Sequence, residues 1–160
     1  MVRFAAGAEN PIVGPAKVAW DVTHRCNCRC RHCHLWQIRE HDDLSTEEAK
    51  RLISELAAAG TIHLSLSGGE PFVRPDIYEL IAFAREAGLT TATNTNGLLL
   101  GDPTNAQRAC DAGLGAAFIS LDGSRAETHN SLRGNSQAFQ KAVRAIDNIV
   151  SLRDGATPRV

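Results

Sequence analysis

IHLSLSGGEPFVRPDIYELIAFAREAGLTTATNTNG, from Ile62 to Gly97, decides the fold. Ile62 to Leu66 reads as a strand. Behind Pro75, the stretch from Asp76 to Ala87 carries Ile77, Leu80, Ile81 and Ala84 at spacings of three and four, the stripe of a helix, and Gly88 ends it. Leu89 to Thr93 is a second strand. A strand, a helix and a strand in that order are joined by a right-handed crossover and lie parallel.

The same unit recurs on both sides. Upstream, Lys17 to Val22 reads as a strand, and a long loop from Thr23 to Leu44 leads to Ser45-Thr46-Glu47-Glu48. That tetrad is a capping box, in which the Ser45 hydroxyl accepts from the Glu48 amide and Glu48 reaches back. Ala49, Leu52, Ile53 and Leu56 then recur at helical spacing up to Gly60. Downstream, Asp102-Pro103 opens a helix with Ala106, Ala109 and Cys110 on one face, ending at Gly113. Ala116 to Leu121 is a fourth strand. Gln137 to Leu152, with Phe139, Val143, Ile146 and Val150 on a stripe, is a fourth helix. Pro158 to Val160 has the look of a fifth strand's start. The class is α/β with a parallel sheet. A barrel or part of one fits this pattern, and so does a doubly wound open sheet.

The 160 residues make about one domain, read as an N-terminal extension over 1–15 and a core over 16–160. A hydrophobic fraction of 43% and a charged fraction of 22% are ordinary for a globular chain. The net charge of −1 gives no electrostatic footprint for nucleic acid or an anionic membrane. Met1 to Pro15 has no apolar run behind a basic start, and no stretch reaches the roughly 18 apolar residues of a membrane span. The expected location is therefore the cytoplasm, where thiols stay reduced. Five cysteines there point to metal ligation or redox chemistry, and four of them, Cys26, Cys28, Cys30 and Cys33, fall within eight residues. Cys110 reads as a small core residue.

Chemistry in parallel α/β sheets gathers at the C-terminal ends of the strands. The unusual residues fall there: the cysteine loop after the first strand, Ser67-Gly68-Gly69-Glu70-Pro71 after the second, Asn94-Thr95-Asn96-Gly97 after the third and Asp122-Gly123 after the fourth. Soft thiolates suit iron–sulfur clusters and zinc. Cys26, Cys30 and Cys33, spaced C-x3-C-x2-C, can hold three corners of a cubane and leave one iron open. A zinc ion held by all four thiolates, or with His24, His32 or His34 in place of one, is the alternative, although no second cysteine pair stands at zinc-ribbon spacing. Arg25, Arg29 and Arg31 either offset thiolate charge or belong to a solvated basic loop.

Neither Gly68 nor Gly69 has a Cβ, so the backbone can approach a ligand there, and Glu70 can accept from an ammonium. A plain turn closed by Pro71 is the bland alternative. Asn94 and Asn96 read as turn residues by default. Ser120 and Asp122 share a face if the fourth strand extends that far. Arg133 reads equally as a carboxylate partner and as a solvated loop arginine. His41, His63 and His129 are expected to be satisfied by packing or solvent, and Trp20 and Trp36 to pack.

Thr23 to Cys33, THRCNCRCRHC, resembles the signature loop of the radical S-adenosylmethionine superfamily, C-x3-C-x-aromatic-C, with His32 in the aromatic place. The resemblance runs from about residue 16 through Gly68 to Pro71, Thr95 to Gly97, Ser120 to Gly123 and His129 to Gly134. Its flavour is that of members that modify peptides or build cofactors. It implies a partial (β/α) barrel with outer helices. It also implies a [4Fe–4S] cluster on Cys26, Cys30 and Cys33, with Cys28, at a usually apolar position, as a bystander. S-adenosylmethionine would be met by Gly68, Gly69, Glu70, Asn96, Ser120 and Asp122. The implied activity is reductive cleavage to a 5′-deoxyadenosyl radical that abstracts hydrogen from a peptide or cofactor precursor, fed by a flavodoxin- or ferredoxin-type reductant. The resemblance ends after about four βα units of six. A fragment is expected on that ground, one that aggregates or cleaves S-adenosylmethionine poorly alone. A non-catalytic zinc or iron–sulfur module and an inactive fragment are the competing functions.

Overall fold

The structure is a computed structural model that describes residues 14–38 and 42–152. Most of the expected N-terminal extension, His41 and the expected fifth strand at Pro158 to Val160 lie outside the described residues. Four strands, β1 (Lys17–Thr23), β2 (His63–Gly68), β3 (Thr90–Thr95) and β4 (Ala116–Ile119), form one parallel sheet in the order β1-β2-β3-β4. A doubly wound sheet reverses direction at a switch point. Here the order is sequential, so every crossover winds the same way and the helices share one face, as in a segment of a barrel.

The helices are α1 (Thr46–Ala58), α2 (Ile77–Glu86), α3 (Pro103–Asp111), α4 (Ala126–Arg133) and α5 (Ala138–Leu152). Neighbours touch in the sequence α1–α2, α2–α3, α3–α5 and α4–α5. Strand alternation sends Val22, Leu64, Leu66 and Ala117 into the core beneath them, against Ile53, Leu80, Ile81 and Ile149. Each buried valine, leucine or isoleucine among them stabilises the fold by roughly 1.5–3 kcal/mol through burial. The intervening Asp21, Asn94 and Phe118 point to the other, uncovered face and are exposed. No helix among the described residues is long and apolar enough to cross a membrane.

Local signals act as expected at two helix starts. Ser45 and Glu48 form the capping box in both directions, and the Asp102 side chain accepts from the Thr104 amide at 2.8 Å. Three features differ from the sequence expectations. The strands β2 and β3 run two residues further, because Gly68 pairs with Thr23 of β1 and Asn94 and Thr95 pair with Phe118 and Ile119 of β4, so tertiary pairing overrides turn-like residues. The strand β4 stops at Ile119, so Ser120 and Asp122 do not share a strand face. The segment before the last helix, read as loop, contains α4.

Candidate cofactor site at the strand ends

A cavity of about 320 Å³ opens at the C-terminal ends of the strands. Cys26, Cys30 and Cys33 line it together with Gly68, Gly69, Asn96 and Ser120. The fold thus brings seven of the nine expected site residues to one space. Glu70 and Asp122 do not border it. Cys28, His32, Trp36 and Arg133 do.

The cysteine loop is fixed at its stems. Arg74, 6% exposed, donates from Nη1 to the Val22 carbonyl at 2.9 Å and from Nη2 to the Leu44 carbonyl at 2.7 Å. Its Nε donates to Asp76 Oδ1 at 2.7 Å, and Asp76 Oδ2 accepts from the Thr46 hydroxyl at 2.7 Å. One buried guanidinium therefore ties both ends of the loop to the starts of α1 and α2, with the fork geometry that arginine offers. Just beyond the first stem, the Gly69 amide donates to the Thr23 carbonyl at 2.8 Å and the Glu70 amide to the Arg25 carbonyl at 2.9 Å. Gly68 has φ +116, and a Cβ on Gly68 or Gly69 would strike the carbonyl oxygens of Thr23 or Arg25. The close approach that demands these glycines is that of the loop's own backbone.

Glu70 is fully buried and engaged within the chain. Its Oε1 accepts from the Phe72 amide at 3.2 Å and the Thr95 hydroxyl at 2.8 Å, and its Oε2 accepts from the Asn96 amide at 2.7 Å. It braces the turn after β2 against the turn after β3 and leaves no oxygen facing the cavity. Burial pushes its carboxyl up to about 7, against the pull of these donors. The brace sets Asn96, whose Nδ2 donates to Asn27 Oδ1 at 2.7 Å and lies 3.9 Å from Cys26 Sγ.

The thiols have hydrogen-bond donors beside them. Cys26 Sγ accepts from the Cys28 amide at 3.4 Å, and Cys30 Sγ lies 3.8 Å from Arg133 Nη1. Burial raises the Cys26 pKa, and burial followed by the neighbouring thiols pushes Cys28 up to about 12. Cys28 is 1% exposed, at the inner edge of the cavity. A single zinc ion requires its donors to converge to about 2.0–2.3 Å from one centre. Among the described residues, no three His, Cys, Asp or Glu side chains are grouped to hold one ion. A cubane asks something else of its ligands, since each of three thiolates takes a separate iron. Three soft donors around one cavity, each thiol of Cys26 and Cys30 with an N–H at hand, fit a cluster.

Asp122 and Arg133 form an ion pair. Nη2 donates to Oδ1 at 2.9 Å, and Nε lies 2.6 Å from Oδ2 without hydrogen-bond alignment. Burial raises the Asp122 pKa and Arg133 more than offsets it, leaving the carboxyl below its ordinary value. The Asp122 amide donates to Nδ1 of His129 at 3.1 Å, which places the His129 proton on Nε2. His129 is fully buried, and Nε2 has no partner among the described residues. Arg133 is thus no solvated loop residue. Trp36 is 37% exposed at the cavity wall and donates from Nε1 to the Cys30 carbonyl at 3.2 Å. Only the cysteine loop around it in sequence could have flagged Trp36, while Gly134 after Arg133 was the signal for a helix end.

Comparison with known proteins places this geometry in a family. The chain is 43% identical over 133 residues to an Fe-coproporphyrin III synthase of Methanosarcina barkeri, covering 82% of this chain and 33% of that protein. It is 34% identical over 150 residues to the mycofactocin maturase of Mycobacterium tuberculosis, covering 93% of this chain and 37% of that one. The chain thus spans about a third of the length of these curated relatives. Streptococcus suis SuiB, solved bound to S-adenosylmethionine, superposes with a TM-score of 0.72 at 19% identity over 85% of this chain and 31% of SuiB. The same protein bound to its precursor peptide SuiA gives 0.74 at 18% identity, over 87% and 31%. These two share the fold. The family model described as the radical SAM superfamily matches residues 20–154, and on that match and the curated relatives the chain belongs to the radical SAM superfamily.

Proposed function

We propose that this chain is the cofactor-binding part of a radical enzyme, in which Cys26, Cys30 and Cys33 hold a [4Fe–4S] cluster and Gly68, Gly69, Asn96 and Ser120 form the wall against which S-adenosylmethionine lies. The observation that carries the reading is the single cavity joining the three thiols to the ends of β2, β3 and β4. When bound, the reduced cluster supplies one electron to S-adenosylmethionine, whose cleavage gives methionine and a 5′-deoxyadenosyl radical that takes hydrogen from the substrate.

The chain's own residues do the positioning. Gly68 and Gly69 let the cysteine loop's backbone pack directly on the turn after β2, and both line the cavity without a side chain of their own. The Ser120 amide is fixed to the Thr95 carbonyl at 2.9 Å, which aims the residue after β4 into the cavity. Glu70 holds the two turns together and is not assigned to the cofactor. Asp122 orients Arg133 in place of touching the cofactor. The thiols of Cys26, Cys30 and Cys33 must lose their protons to ligate, so metal uptake releases protons and strengthens with pH.

The substrate class in this reading is a peptide or a cofactor precursor, in keeping with relatives named for coproporphyrin synthesis and for maturation. The reductant is of the flavodoxin or ferredoxin type, and the location is a reducing cytoplasm. Anaerobic reconstitution with iron and sulfide tests it. About four irons per chain and a reduced-state electron paramagnetic resonance signal altered by S-adenosylmethionine are expected. Tight zinc binding with no iron uptake would sink it.

A further inference from the structure

We propose that the C-terminal turn of α4, Leu132-Arg133-Gly134, is the platform on which the middle of the cysteine loop docks, with Arg133 the positioning residue for Cys30. The role of Arg133 rests on the reading of Cys30 as a cluster ligand, but the platform itself belongs to the chain without a cluster.

Four contacts converge. The Arg29 amide donates to the Arg133 carbonyl at 3.1 Å, and the Arg31 amide donates to the Leu132 carbonyl at 2.9 Å. These are among the last carbonyls of α4, which have no partner within the helix and need one outside it. The loop supplies that partner on both sides of Cys30. Gly134 ends the helix at φ +63, and a Cβ there would strike the Arg29 carbonyl. The side chain of Arg133 turns to the same place, with Nη1 3.8 Å from Cys30 Sγ. Asp122 holds the guanidinium, and buried His129, one turn earlier on α4, accepts from the Asp122 amide. The motif from His129 to Gly134 thereby grips the loop twice, by the backbone at residues 29 and 31 and by the sulfur of residue 30. A cationic N–H on a cysteine sulfur favours the more negative, reduced state of a cluster and so raises its potential.

The test uses the 160-residue chain in two states. In the protein without iron, amide hydrogen exchange should show the Arg29 and Arg31 amides protected. Gly134→Ala should speed exchange at both by roughly tenfold or more, from the left-handed strain alone, while amides of β2 and β3 keep their rates. Unprotected Arg29 and Arg31 amides in the wild type, or unchanged rates in Gly134→Ala, would overturn the platform. Should Gly134→Ala unfold, the wild-type protection pattern still decides, and Gly134→Asn, which tolerates the left-handed conformation yet keeps the Cβ clash, repeats the comparison. In the reconstituted protein, Arg133→Met should keep wild-type iron content and shift the midpoint potential to a more negative value. An unchanged midpoint would overturn the role of Arg133. A wild type that takes up no iron defeats the cluster reading instead, and exchange in the iron-free chain still decides the platform.

Discussion

Raising the pH from 4.5 to 8 should weaken the iron-free chain through Glu70, and Glu70→Gln should remove that loss. Glu70 ionises at an ordinary value of 4.5 when exposed in the unfolded chain and at about 7 in the fold. The folded state therefore binds the proton more tightly. Its contribution to stability is fully present below the unfolded value and fades as pH rises through the folded one. The difference of about 2.5 pH units corresponds to ~3 kcal/mol. The cause is desolvation of a carboxylate with no exposed surface, partly countered by donors from Asn96, Thr95 and Phe72. Urea denaturation at pH 5 and pH 8 on wild type and Glu70→Gln provides the assay. The glutamine costs stability at both pH values, because its NH2 meets the Asn96 amide where Oε2 accepted at 2.7 Å. What matters is the difference of differences, in which the other titrating groups cancel: the wild type should lose ~2.5 kcal/mol more than the variant between the two pH values, because at pH 5, half a unit above the unfolded value, part of the loss has already occurred. Parallel profiles, or a wild type that gains on the variant as pH rises, would show that the three donors outweigh burial and refute the reasoning.

Cys30→Ala should abolish iron retention after reconstitution, whereas Cys28→Ser should keep about four irons per chain, measured by iron and sulfide analysis on desalted protein. Arg74→Met leaves the Val22 and Leu44 carbonyls and Asp76 without their donor, and should cost about 2–4 kcal/mol in denaturant unfolding. Ile53→Ala, at a fully buried position in the core beneath β2, should cost about 2–5 kcal/mol by the same measurement, with the unfolding slope unchanged.

The strands and four of the five helices were legible because each carries a local signal that tertiary structure did not contradict. The capping box at Ser45 and Glu48, Asp102-Pro103 at the start of α3 and the stripe of Ile77, Leu80, Ile81 and Ala84 are such signals. The helix α4 gave little to read. It has eight residues, no side-chain cap at its start, and His129 as its one buried residue, so no apolar period exists. Ser67, Gly68, Asn94 and Thr95 resemble turn residues, yet strand pairing extends through them. At the site, cysteine spacing and the order of motifs pointed to one cavity, since both are properties of the chain's own succession. The carboxylates of Glu70 and Asp122 were less readable. What a carboxylate does depends on which donor the fold places beside it. For Glu70 that donor is 26 residues away at Asn96, and for Asp122 it is Arg133 on a helix the sequence barely marks.

The cysteine loop is long and polar, and a free segment of its length would lose roughly 1–2 kcal/mol of backbone entropy for every residue that a cofactor ordered. Three anchors remove that burden in advance, each from a different part of the chain and each on a different part of the loop. Arg74 holds the stems at Val22 and Leu44, the turn after β2 holds Thr23 and Arg25, and α4 holds Arg29 and Arg31. Trp36 adds a fourth tie, to the carbonyl of Cys30 itself. With the backbone fixed at these points, the three thiols enter one cavity as a consequence of folding, and what a cluster must still supply is the deprotonation of its ligands. Residues remote in sequence, Arg74 and Gly134 above all, therefore take part in holding the loop's backbone in place. They act on the loop before any metal arrives.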